Sequence, residues 1–73
     1  MATKGGSKIQ SILIDTHKFT LRKAYDWVVN NGFKHNKIDV KAKYYRFRQI
    51  TPSSKKQYRT INLTDGVKAI LEF

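Results

Sequence analysis

The alternation of apolar and polar positions sets out the elements before any other property is needed. In the run IQSILID, Ile9 to Asp15, apolar side chains fall on both parities from Ile12 onward. That is the pattern of a strand buried on both faces, and so of a central one. Thr16 to Phe19 form a short connection. Leu21, Ala24, Tyr25 and Val28 then recur at the spacing of one helical face, flanked by Trp27 and Val29, with Arg22, Lys23, Asp26 and Asn30 on the other side. Thr20 is placed to cap this helix and Phe19 to staple its start. Asn31-Gly32 supplies the stop, because glycine readily takes the left-handed conformation that ends a helix.

After Phe33 and the polar stretch that follows it, Tyr44, Tyr45, Phe47 and Ile50 mark a strand. One parity carries Tyr45, Phe47 and Gln49; the other carries Tyr44, Arg46, Arg48 and Ile50. Thr51 to Gln57, with one proline, two serines and two lysines, reads as a solvated loop. Tyr58 to Leu63 alternates again, with Tyr58, Thr60 and Asn62 opposite Arg59, Ile61 and Leu63. Thr64-Asp65-Gly66 then reads as a tight turn into a last strand, Val67 to Phe73. A helix over residues 65–72 is the competing assignment, and the place of Gly66 favours the hairpin. The expected fold is α+β: β-α-β-β-β, a mostly antiparallel sheet of about four strands with one helix on one face.

Composition narrows the class. The 73 residues support a single domain over residues 9–73, preceded by a flexible basic arm, residues 1–8, which contains Gly5, Gly6, Lys4 and Lys8. There is no cysteine, so neither a disulfide framework nor a Cys-based zinc site supplements a small core. Two histidines alone do not make a structural metal site. No apolar run approaches the roughly 20 residues of a membrane span, and MATKGGSK lacks the apolar stretch of a signal peptide. A soluble intracellular protein, with no membrane partner and no cofactor, is the expectation.

Charge changes the picture most. Fifteen Lys and Arg against five Asp and Glu give a formal net charge of +10. The stretch from Lys34 to Arg59 holds nine cations opposed only by Asp39, so it alone carries +8. A concentrated positive field attracts polyanions, and neutralising phosphates drives salt-dependent, largely sequence-independent binding. With Tyr45 and Phe47 under the helix, Tyr44, Arg46 and Arg48 would project from the uncovered face, joined by Tyr58, Thr60, Asn62 and Lys68. Lys43, Arg46, Arg48, Lys55, Lys56 and Arg59 are the candidate phosphate contacts. The two arginines are expected to matter far more than Lys68. Tyr44 and Tyr58 are open to two readings: platforms for exposed bases, or an ordinary cross-strand pair with solubilising cations around it.

Other features carry less. Arg22 and Lys23 sit in the first helical turn, where the dipole favours anions. They would suit a docked phosphate, and equally would be screened surface charges of little consequence. Trp27 reads as a core edge, and His17 and His35 as surface residues near the helix ends. Asp15, Asp26, Asp39 and Asp65 are scattered over different elements, and no activated nucleophile or carboxylate cluster accompanies them. Enzymatic activity is not expected.

The order ILIDTHKFTLRKAYDWVVNNGFKHNKIDV, YYRFRQITP, YRTINLTDGVKAI resembles small proteins and domains encoded by tailed phages and large DNA viruses. Their pattern is a KF-x-L-x-x-A-x-x-W helix start, an aromatic-RFRQ-x-x-P block and a closing G-[IV]-K segment, and it spans about residues 12–71. The resemblance implies a viral or phage setting, in host cytoplasm, nucleus, viral factory or virion, and hands over no catalytic residues. It makes Arg46, Phe47, Arg48 and Gln49 a unit. The expected function is that of a basic accessory protein binding DNA or RNA. The alternative is a virion-associated or host-targeting module that docks an acidic protein, through sheet edges able to accept a strand or as an oligomer.

Overall fold

A computed structural model describes residues 8–51 and 57–73. Its elements are β1 (Lys8–Asp15), α1 (Leu21–Asn30), β2 (Ile38–Val40), β3 (Tyr44–Arg48), β4 (Tyr58–Thr64) and β5 (Val67–Glu72). All the pairings are antiparallel, in the order β2-β3-β1-β5-β4. The α+β class holds, with five strands where about four were expected. The added one is β2, three residues long and too short for alternation to reveal.

β1 is central, as its two-sided burial requires. Ile12 and Ile14 lie under the helix with Phe47, Val67 and Ala69. On the opposite face Ser11 is also fully buried, against polar partners rather than a core. A register irregularity between Ile9 and Ser11, where β1 meets β5, lets Gln10 bury its side chain as well. The main-chain carbonyl of Gln10 accepts from Gln49 N at 2.8 Å, so the connection leaving β3 is tied to the start of β1.

Local chemistry explains the helix ends. The Thr20 hydroxyl accepts from Lys23 N at 3.2 Å. At the other end Gly32, with φ +78°, donates to Val29 O, and Phe33 N donates to Val28 O. This paired arrangement satisfies carbonyls that the helix leaves free, and an apolar contact commonly accompanies it. Here that contact is Phe33 stacked on Trp27, with centroids 5.9 Å apart. Only Ala24 and Val28 of the helix are fully buried. Leu21 and Tyr25, expected on the same face, are exposed, because a ten-residue helix meets the sheet along a narrow stripe. Tyr25 instead meets His35 edge-on.

The turn between β4 and β5 is the Asp-Gly hairpin, with Gly66 at φ +80°. Its Cβ-less backbone also lies close to the preceding connection: an added methyl would come within 3.1–3.3 Å of Lys18 and Phe19. The larger departure from expectation is the place of β4. A cross-strand pair of Tyr44 with Tyr58 requires β4 beside β3; β4 instead forms the far edge, with β1 and β5 between them.

Candidate nucleic-acid interface

Strand register fixes which side chains share the face away from the helix. Across the middle of the sheet run Asp39, Arg46, Leu13, Lys68 and Asn62; the next row runs Arg48, Ser11, Ile70 and Thr60. Tyr44 is opposite Asp15 at one end, and Tyr58 is opposite Glu72 at the other. The YYRFR segment is therefore extended, with Phe47 buried under the helix and both arginines on the uncovered side.

The two guanidinium groups nevertheless diverge, and both are engaged. Arg46 turns toward β1, donating from Nε to Ser11 Oγ and from Nη2 to Gln10 Oε1, each at 3.1 Å. Ser11 Oγ in turn donates to Gln10 Oε1 at 2.7 Å. Arg48 turns the other way and donates from Nη2 to Asp39 at 2.8 Å. Its Nε is buried with no hydrogen-bond partner among the described residues. Sequence alternation assigns the face; it does not reveal that these cations hold strands together.

The remaining candidates separate. Lys43 and Tyr44 lie together at the start of β3, and Tyr44 is half-buried. Tyr58 is exposed, and its hydroxyl donates to Glu72 at 3.0 Å. Since β1 and β5 lie between β3 and β4, the two tyrosines are neither a cross-strand pair nor a shared platform. Arg59 falls on the helix-side parity, and its guanidinium stands 5.6 Å from the Phe73 ring centroid. It is not part of the uncovered face. Lys55 and Lys56, and residues 1–7 of the expected arm, lie outside the described residues; Lys8, expected at the end of that arm, instead begins β1, opposite Glu72.

Two depressions mark the surface. The larger, about 680 Å³, has Leu13 at its floor with Tyr44, Thr60 and Asn62 around it, and Lys43, Lys68 and Lys18 with Asp15 and Asp65 at its margin. Lys18 is paired with Asp65 at 2.6 Å. That contact holds the lysine's pKa above its ordinary value of 10.5. Asp15 accepts from the His17 backbone N–H at 2.8 Å, chiefly on that account titrating below its ordinary 3.8. Lys43 and Lys68 have no ion-pair partner among the described residues. The smaller depression, about 340 Å³, lies at the other end of β3 and brings Lys34, Lys37 and Arg48 together. Gln49 shapes it by clasping the main chain of Lys34: Oε1 accepts from Lys34 N at 2.8 Å, and Nε2 donates to Lys34 O at 2.9 Å.

Leu13 and Lys68 are the residues that sequence reasoning undervalued. Their prominence follows from β1 lying between β3 and β5, which pairs Leu13 with Arg46 on one side and Lys68 on the other. At the helix start, Arg22 Nε stands 3.6 Å from Asp26, so that cation has an intrahelical partner. Among the described residues there is no group of three or more potential metal ligands, and no helix is long and apolar enough to cross a membrane. No family model, curated protein or solved structure matches the chain.

Proposed function

We propose that this protein is a nucleic-acid-binding accessory module, of viral or phage origin by its sequence pattern, that captures phosphate backbones across the uncovered face of its sheet. The observation that carries the reading is the distribution of cations that have no ion-pair partner among the described residues. Of the +10 net charge, Lys43 and Lys68 flank the larger depression on the side the helix leaves bare, and Lys34 and Lys37 flank the smaller one at the other end of β3. Such cations contribute through counterion release, which needs proximity to phosphate and no fixed geometry. Arg46 and Arg48 serve mainly to hold β1, β2 and β3 in register and so keep that face in shape.

The test is a titration of labelled oligonucleotides, DNA and RNA, at two salt concentrations. Affinity should fall steeply as salt rises, and the log–log slope counts the phosphates neutralised. Absence of binding at low salt overturns the reading.

A second reading draws on the sheet edges. β4 is an edge strand of seven residues with a single charge, Arg59, and no proline, and its residues are exposed apart from a half-buried Ile61. Edges of that kind accept a further strand from a partner protein. In this case binding would persist at high salt and would be lost on placing a proline at Ile61, with no nucleic-acid dependence.

A further inference from the structure

The two depressions differ in what they can hold. Lys34, Lys37 and Arg48 gather at the smaller one, where Arg48 is paired with Asp39 and the two lysines have no ion-pair partner among the described residues, a setting for phosphate. The larger one is a poor phosphate trap: three lysines face two aspartates there, and Lys18 is already neutralised by Asp65. Its floor is the apolar side chain of Leu13, one wall is the half-buried ring of Tyr44, and Asn62 and Thr60 present hydrogen-bonding groups from β4. An apolar floor, an aromatic wall, polar groups at the edge and two unpaired cations at the rim match a heterocycle joined to phosphate. They do not match phosphate alone.

We infer that the depression over Leu13 receives one unpaired base of a nucleic-acid strand, walled by Tyr44, while Lys43 and Lys68 hold the phosphates on either side of it. This rests on the nucleic-acid reading above and adds a strand preference to it. A base enters such a hollow only when it is free of its stack and its partner. Single strands meet that condition, whereas duplexes must first be opened. Along β3, Tyr44 and Arg48 are four residues apart, or about 13 Å at about 3.3 Å per residue. A strand lying along β3 therefore places a base at one depression and a phosphate at the other.

The experiment uses the full chain with a fluorescein-labelled 12-nucleotide single strand, the corresponding 12-base-pair duplex, and free AMP, at low and moderate salt. The expected result is single-strand affinity at least tenfold above that for the duplex. Tyr44→Leu should reduce single-strand affinity by about 5- to 150-fold, the range for losing one stacked base, and leave duplex affinity within twofold. Because Tyr44 is half-buried, a second variant guards against misfolding. Thr60→Leu with Asn62→Leu, at exposed edge positions, fills the hollow with aliphatic carbon and should abolish the strand preference alone. Backbone amide shifts on titration should concentrate at Leu13, Tyr44, Asn62 and Lys68. Equal affinity for single strand and duplex overturns the base site while leaving electrostatic capture standing; no binding to either overturns both. If AMP binds as tightly as the oligonucleotide, the occupant is a free nucleotide and the strand-binding inference is wrong.

Discussion

The uncovered face of the sheet carries two sets of cations that look alike in sequence and differ in role. One set is the arginines, and each is engaged: Arg46 with Ser11 and Gln10, Arg48 with Asp39. The other is the lysines, and Lys43 and Lys68 have no ion-pair partner among the described residues. The difference follows from the chemistry of the heads. A planar guanidinium with several donors can satisfy two acceptors on a neighbouring strand at once, whereas an ammonium is a compact, strongly hydrated point charge. Charge in a strand is therefore no measure of charge available to a ligand. The arginines organise the sheet, and the lysines are left for a partner.

The largest expected effect comes from the arginines. Arg46→Ala withdraws both donors from the buried Gln10 and Ser11 side chains and should lower unfolding stability by about 2 kcal/mol, read as a shift of the urea midpoint. A change within 0.5 kcal/mol (about the scatter of a surface substitution) would show that Arg46 does not support the strand pairing.

Next come the lysines. Lys43→Ala with Lys68→Ala should weaken oligonucleotide binding about tenfold at low salt. It should also reduce the single-strand salt slope by about 1.4, the amount for two phosphate contacts. Urea stability should hardly move. If Arg48→Ala costs more binding than this lysine pair, the division between arginines and lysines fails.

Asp65→Asn sharpens the contrast in the opposite direction. It releases Lys18 from its 2.6 Å partner and adds a third free cation at the rim, so low-salt binding should rise about two- to threefold. It also removes the contact that raises the Lys18 pKa. A raised lysine pKa contributes stability below its ordinary value of 10.5 that is lost as pH rises through the folded value. Asp65→Asn should abolish that alkaline component.

The smallest effect concerns Asp15. Its pKa is lowered, chiefly by the His17 backbone N–H, so its contribution is present above its ordinary 3.8 and is lost as pH falls through the lower folded value. Comparing urea midpoints of the parent and Asp15→Asn from pH 5 down to pH 2 should show a shallower acid slope in the variant. Parallel curves would mean that the turn does not depend on the ionised carboxylate.

Much of this molecule is legible along the chain, because the forces concerned act over a few residues. The cap at Thr20, the stop at Gly32, the hairpin at Asp65-Gly66 and the parity of Tyr44, Arg46 and Arg48 all follow from local dihedral preference or a period of two. The central position of β1 follows from apolar side chains on both parities. Strand order is different, because it depends on which hydrogen-bonding edges meet. Placing β1 and β5 between β3 and β4 separates Tyr44 from Tyr58. It also brings Leu13 beside Lys68. Whether a cation is free is likewise a long-range matter: Arg46 meets Gln10 across 36 positions of sequence, and Lys18 meets Asp65 across 47. No local pattern encodes such pairings, since each exists only once the strands that carry its members lie in register.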